Sequence, residues 1–239
     1  MVVELWLVRH GETLWNADKR IQGQKDISLS EKGRGQAVLL AKRLSALKKN
    51  GLLFDKIYSS DLCRAYETAC ICFPQSSLTE DEELNLFNPA EQEILKDQRL
   101  RELNFGQFEG KLYLQLSKKE RKQLPQLSLM PCEVRAPDGE STEEFKARAL
   151  DWLRSLPSPG RFIAFTHGGF ITTVLNIFIG GSHKNAYSDS FNGSHNLKNL
   201  PAWRFKIDNT GITKVRFYMG RYAVIETLND VSHLELLGD

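Results

Sequence analysis

Val2-Val3-Glu4-Leu5-Trp6-Leu7-Val8-Arg9-His10-Gly11-Glu12-Thr13 opens the chain as an apolar run that stops abruptly at a polar turn. The run at 2–8 contains Glu4 and is shorter than a signal-peptide core, so it reads as a buried strand. In open α/β folds the loops at the carboxyl ends of such strands form the ligand crevice. The arrangement recurs along the chain. Residues 54–58 read as a strand, followed by Ser59-Ser60-Asp61 as candidate caps and a helix running through Arg64 toward Phe73. Residues 161–165 form a third apolar run, ending in Thr166-His167-Gly168-Gly169 with an apolar helix behind it.

Between these units the spacing predicts helices at 30–49, 112–124 and 141–156. Ser30 is the expected N-cap of the first, with Gly33 and Gly35 as weak points near its start; Ser141-Thr142-Glu143-Glu144 opens the last like a capping box. Residues 203–207 and 213–218 flank Asp208-Asn209-Thr210-Gly211, which reads as a hairpin turn. Strands alternating with helices argue for an α/β fold with a mostly parallel sheet covered on both faces, and the hairpin adds an antiparallel edge.

At 239 residues, with 41% hydrophobic and 26% charged residues, the chain fits one domain, 1–239, able to bury its own core. Two polar segments, near 79–93 (strongly acidic) and 182–199, read as surface excursions from it. A net charge of +2 offers no field for nucleic acid or anionic lipid, and the basic stretch at 118–122 reads as a solvated helix face. No apolar run approaches the roughly 20 residues needed to cross a bilayer. The chain is therefore expected to be soluble and cytoplasmic, without nucleic-acid or membrane partners; its oligomeric state is left open. Cys63, Cys70, Cys72 and Cys132 lack metal-finger spacing and read as reduced thiols. The acceptor-like Asn192-Gly193-Ser194 has no secretory context to give it meaning.

The chemistry lies in what the strand ends gather. His10-Gly11 and His167-Gly168 end two strands, Arg9 adjoins the first histidine, and the third strand leads into Arg64. One sheet edge could thus collect two imidazoles and two guanidinium groups. A phosphate dianion needs charge-assisted donors, which arginine presents in a planar fork, and a neutral imidazole can attack phosphorus to form a covalent intermediate. Helix N-termini after these loops add N–H groups and a favourable dipole. His183, His195 and His233 read as surface or core residues.

At these positions the sequence resembles the histidine phosphatase superfamily, which includes cofactor-dependent phosphoglycerate mutases. Leu7-Val8-Arg9-His10-Gly11-Glu12-Thr13 with Trp15-Asn16 is similar to its signature. Gln22-Gly23-Gln24 with Asp26, Ser59-Ser60-Asp61-Leu62 with Arg64, Leu100-Arg101-Glu102-Leu103, Pro137-Asp138-Gly139-Glu140-Ser141 and Phe165-Thr166-His167-Gly168-Gly169 follow in family order. The resemblance implies a three-layer α/β/α sandwich. It makes His10 the nucleophile, His167, Arg9 and Arg64 the phosphate clamp, and Glu102 the general acid that an alkoxide leaving group requires. Asn16, Gln22, Gly23 and Gly168 would add substrate contacts, while Glu109 would support the Glu102 loop.

No metal and no cofactor are implied, because the arginines and His167 supply the positive charge a cation would. Other phosphoryl-transfer designs are missing: there is no Gly-Lys-Ser/Thr loop, no His-Cys with a following arginine and no Asp-x-Asp loop, and Cys63 reads as a packing residue. Asn104-Phe105-Gly106-Gln107-Phe108-Glu109-Gly110 is similar to phosphatase branches and unlike the Asn-Glu-Arg-His-Tyr-Gly stretch of mutases. The expected activity is hydrolysis of a small phosphate monoester. The alternatives are a phosphoglycerate mutase and a silent member that binds phosphorylated partners.

Overall fold

A computed structural model of the chain describes residues 2–74, 93–121, 135–180, 205–218 and 222–237. In chain order its elements are β1 (Val2–Arg9), the short α1 (Leu14–Ala17), α2 (Glu31–Lys49), β2 (Lys56–Ser59), α3 (Cys63–Cys72), β3 (Ile94–Lys96), α4 (Thr142–Ser155), β4 (Gly160–Thr166), α5 (Gly168–Gly180), β5 (Ile212–Tyr218) and β6 (Tyr222–Asp230). The strands form one six-stranded sheet in the order β3-β2-β4-β1-β5-β6. β1, β2, β3 and β4 are mutually parallel, and β5 runs antiparallel to both of its neighbours.

The two faces of β1 and β4 explain the layers. Leu5, Leu7, Phe162 and Ala164 pack on one side with Trp152 of α4 and Phe170 of α5. Trp6, Val8, Ile163 and Phe165 pack on the other with Leu40 and Leu44 of α2 and Ala69 of α3. Central strands apolar on both faces are what a sheet covered by helices on both sides demands. The result is the expected three-layer α/β/α sandwich with a mostly parallel mixed sheet. Trp152 is fully buried and meets Tyr58 and Phe170 edge-on, at centroid distances of 5.7 and 5.8 Å.

Helix ends follow the local chemistry. Ser30 accepts from the Gly33 N–H at 3.0 Å, Glu31 occupies the first turn of α2, and Lys48 and Lys49 occupy the last. Ser141 and Glu144 form a reciprocal capping box at α4. Gly33 is not a weak point but a contact: a Cβ there would lie 2.0 Å from the Glu12 carbonyl oxygen, so its lack of a side chain lets α2 approach the turn after His10.

Several expectations are corrected. The turn at 208–211 is not a hairpin turn: of the strand expected at 203–207, the described residues Phe205, Lys206 and Ile207 belong to no strand, 203–204 lie outside the described residues, and β5 pairs with β1 and β6 instead. The turn's backbone is claimed by the end of β1, since Thr210 N–H donates to the Arg9 carbonyl at 3.0 Å and Arg9 N–H to the Gly211 carbonyl at 3.3 Å. Of the helix expected at 112–124, the described part is a 3₁₀ turn at Tyr113–Gln115 followed by helical residues at 118–121, and 122–124 lie outside the described residues. Ser59 and Ser60 do not cap α3; its N-cap position is Leu62, which makes no side-chain cap bond. β3 and β6 were not anticipated. The excursion at 182–199, the glycosylation-like triplet, His183, His195, Cys132 and all but Glu93 of the acidic excursion at 79–93 lie outside the described residues. Cys63, Cys70 and Cys72 are free thiols, and among the described residues no helix is long and apolar enough to cross a membrane.

Replacing Trp152 with Ala removes the bulkiest fully buried side chain of the α4–α5 layer. We expect a loss of about 3–5 kcal/mol in urea unfolding; a loss below about 1 kcal/mol would show that the layer is not cooperative with the sheet.

Candidate active site

The parallel strands β1, β2, β3 and β4 end on one edge of the sheet, and their register brings the sequence motifs together. Arg9 is paired with Thr166, and the His10 N–H donates to the Thr166 carbonyl at 3.0 Å. The next residues, His10 and His167, therefore sit side by side, ring centroids 5.2 Å apart. Ser60, following β2, donates its N–H to the Phe165 carbonyl at 2.8 Å and meets His167 Nε2 through its hydroxyl at 2.9 Å.

His10 is 2% exposed, and its Nδ1 lies 2.7 Å from the Gly11 carbonyl oxygen. A carbonyl can only accept, so Nδ1 carries the ring proton and Nε2 keeps its lone pair. Burial, and then the neighbouring Arg64 and Arg9, hold the imidazole pKa well below its ordinary value. His167 is fully buried and shifted the same way by burial, Arg64, His10, Arg9 and Arg148.

Arg64, also fully buried, uses its two terminal nitrogens on the Gly23 and Lys25 carbonyls at 2.7 and 2.8 Å. Arg9 Nη1 donates to the Ile207 carbonyl at 2.6 Å. Burial lowers the pKa of both guanidinium groups, that of Arg64 to about 10, while Glu102 acts in the opposite direction on each. Both stay charged at neutral pH. Arg9 Nε, Arg64 Nε and His167 Nδ1 have no hydrogen-bond partner among the described residues. Two desolvated cations with unspent donors are costly in the free protein and suited to an anion.

Glu102 lies beyond β3. Its carboxylate accepts from the Leu103 N–H at 2.9 Å and from the Gly169 N–H, at the start of α5, at 3.0 Å. A Cβ on Gly169 would lie 2.1 Å from Glu102 Oε1, so any side chain there would displace the Glu102 carboxylate. Glu109 Oε1 accepts from the Gln24 and Phe105 N–H groups at 2.8 and 3.0 Å, tying the 22–24 turn to the Glu102 loop. Thr13 bridges the remaining polar residues, accepting from the Asn16 N–H at 3.1 Å and donating to Gln22 Oε1 at 2.8 Å.

A cleft of about 240 Å³ is lined by Arg9, His10, Asn16, Arg20, Ile21, Gln22, Gly23, Arg64, Glu102 and Phe105. Of the residues expected from sequence, His167 and Gly168 are outside this lining: His167 stands behind His10, and Gly168 packs near Arg9. Arg20, Ile21 and Phe105 line the cleft without having been singled out; Arg20 and Ile21 sit just before the Gln22-Gly23 block, which was the available signal. Behind the nucleophile strand, Asn209 Nδ2 donates to the His10 carbonyl at 2.9 Å. His233, 4% exposed, meets the Thr210 hydroxyl at 3.0 Å. It is a core residue. Among the described residues no three His, Cys, Asp or Glu side chains gather as they would around a metal ion.

The fold and this cluster define a protein built to hold an anion against a neutral histidine at the carboxyl edge of an α/β sheet. The chain belongs to the histidine phosphatase superfamily (branch 1), whose family model matches residues 5–231. It is 32% identical over 244 residues to the Escherichia coli protein named probable phosphoglycerate mutase GpmB, covering 98% of this chain and 96% of the relative. YhfR of Bacillus stearothermophilus superposes with a TM-score of 0.70 at 28% identity, over 97% of this chain and 99% of the other. A candidate α-ribazole-5′-P phosphatase of E. coli shares the fold, with a TM-score of 0.70 at 21% identity over 96% of this chain and 97% of that one. The superfamily comprises phosphatases and mutases acting on small phosphorylated substrates.

The lowered imidazoles tie stability to pH. Below the ordinary histidine value near 6.5 the unfolded chain binds protons that buried His10, His167 and His233 refuse, the last titrating only at about 4. Unfolding free energy should therefore fall as pH drops from about 6.5 toward 4, and His233→Gln should make that fall shallower. Urea midpoints measured across this range with an unchanged slope in the variant would refute the assignment.

Proposed function

We propose that the chain is a metal-independent phosphatase that hydrolyses phosphate monoesters through a phosphohistidine on His10. The observation that carries this is the commitment of His10 Nδ1 to the Gly11 carbonyl in a site where burial and two arginines keep the ring neutral. Nε2 is then the only ring nitrogen able to attack phosphorus.

Arg9 and Arg64 clamp the phosphate oxygens, supported by their unspent Nε donors, and His167 contributes from beside His10. Asn16, Gln22 and the backbone at Gly23 contact the phosphate from the loop after His10, and Gly168 leaves room beside Arg9. In the first step the Nε2–P bond forms as the bond from phosphorus to the ester oxygen breaks, and Glu102 gives that oxygen its proton. In the second, Glu102 takes a proton from water as water's oxygen attacks phosphorus, releasing inorganic phosphate and restoring neutral His10. The arginines supply the positive charge that a cation provides in metal-dependent phosphatases.

A second reading, phosphoglycerate mutase, is favoured by the name of the 32%-identical E. coli relative. Hydrolysis is favoured by the stretch from Asn104 to Gly110, which is unlike that of mutases and contributes Phe105 to the cleft.

Purified protein should release inorganic phosphate from simple monoesters faster than it interconverts 2- and 3-phosphoglycerate; the reverse ranking would favour the mutase. His10→Ala should abolish turnover, and rapid quenching with labelled substrate should trap an acid-labile, base-stable adduct on His10. Arg9→Ala or Arg64→Ala should each cost about 10²-fold or more in kcat. An acid-stable adduct, or activity lost on chelation, would overturn the mechanism.

A further inference from the structure

We propose that Arg148, held by Glu140, is the positioning residue that fixes Glu102 for proton transfer, an inference that rests on Glu102 being the general acid. Glu102's carboxylate is held by two backbone N–H groups, those of Leu103 and Gly169. Its placement therefore follows the placement of its own main chain. That main chain runs through a turn after β3, outside the strand ladder, where the Leu100 carbonyl accepts from the Thr166 hydroxyl at 2.7 Å.

Arg148, in the middle of α4, reaches this turn with its whole guanidinium. Nη1 donates to the Arg99 and Arg101 carbonyls at 2.7 and 2.8 Å, and Nη2 to the Glu102 carbonyl at 3.2 Å. The remaining donors go to Glu140, from Nε to Oε1 at 2.9 Å and from Nη2 to Oε2 at 2.8 Å. All five N–H groups of an arginine are thereby used, three on the turn and two on the carboxylate that orients the fork. The pair is largely withdrawn from water, with side chains 18% and 14% exposed, so it is held far more firmly than a surface ion pair. Glu140 itself grips the far side of the turn: Oε2 accepts from the Asn104 N–H at 3.3 Å, and its own N–H donates to the Asn104 carbonyl at 2.9 Å. The only other side chain on the Glu102 carbonyl, among the described residues, is Gln24, whose Nε2 donates at 3.0 Å. Arg101 also anchors the turn, but through its side chain to Asp61, leaving the carbonyls to Arg148.

Lysine keeps the charge but cannot span three carbonyls and a bidentate carboxylate, so Arg148→Lys should let Glu102 drift without touching His10 or the arginine clamp. The test compares 4-nitrophenyl phosphate, whose leaving group departs without a proton, with phenyl phosphate, whose leaving group needs one. Arg148→Lys should lower kcat/KM, which reports phosphoryl transfer to His10 and not the water step that both substrates share, about tenfold more for phenyl phosphate than for 4-nitrophenyl phosphate, a fraction of what general acid catalysis contributes. Glu102→Gln, measured alongside, should show the same selectivity, more strongly. Equal losses on both substrates for Arg148→Lys, with Glu102→Gln selective, would reduce Arg148 to a structural role and overturn the proposal. No selectivity in Glu102→Gln would remove Glu102 as the acid and the proposal with it. Should Arg148→Lys fail to fold by circular dichroism, Glu140→Gln, which leaves the arginine in place and loosens its fork, carries the same test with a smaller selective loss expected.

Discussion

The hydrogen bond from the His10 N–H to the Thr166 carbonyl, 3.0 Å long, is the contact on which the site depends. It extends the parallel ladder of β1 and β4 by one step past Arg9 and Thr166. That step seats His10 beside His167 and brings two helix-starting loops to one edge. A slip of one residue would send every side chain of β1 to the opposite face. The apolar pattern forbids the slip, since Leu5 and Leu7 belong to one helical layer and Trp6 and Val8 to the other. Core packing and nucleophile placement are thus a single constraint.

Electrostatics then decide what the edge can do. Arg64 and His167 are fully buried and Arg9 partly so, and among the described residues none of the three has a carboxylate hydrogen-bonded to it. Backbone carbonyls solvate the guanidinium groups only in part, and Glu102 is the strongest compensating charge acting on both. The fold bears the cost of concentrating positive charge next to an imidazole that must stay neutral, a common arrangement where a site gives up stability for chemistry. Glycine enters at close approaches beside the site, Gly33 against the Glu12 backbone and Gly169 against the Glu102 carboxylate.

The supports around the site come from distant parts of the chain. The turn at 208–211 serves as a brace behind His10: Thr210 and Asn209 both donate to its carbonyl, and His233 packs on the Thr210 hydroxyl. On the other side α4, started by the Ser141–Glu144 box, carries Arg148 to the loop bearing Glu102. Nucleophile and carboxyl each have a scaffold of their own, and the two meet at the end of β4, where the Thr166 carbonyl holds the His10 N–H and the Gly169 N–H holds the Glu102 carboxylate.

The sequence by itself determined the elements and the chemistry at their ends. Apolar runs of strand length, Ser30 and Ser141 as caps, and histidine or arginine after three of the strands depend on neighbours a few residues away, and local spacing records them directly. His10, His167, Arg9, Arg64 and Glu102 were legible for that reason, together with a family resemblance carried by ordered motifs. What the tertiary structure decided were relations across large separations. Arg9 reaches the carbonyl of Ile207, 198 residues along the chain, and Arg148 gathers carbonyls nearly 50 residues back. The supposed hairpin turn was read from its Asp-Asn-Thr-Gly composition, and the turn does form, yet its Thr210 N–H and Gly211 carbonyl bond to the end of β1. Arg20 and Phe105 line the cleft beside the Gln22-Gly23 and Glu102 blocks, but which neighbours of a motif face the cleft is not written in local spacing. Such roles are set by strand register and helix docking, which a one-dimensional pattern constrains only through the faces it must bury.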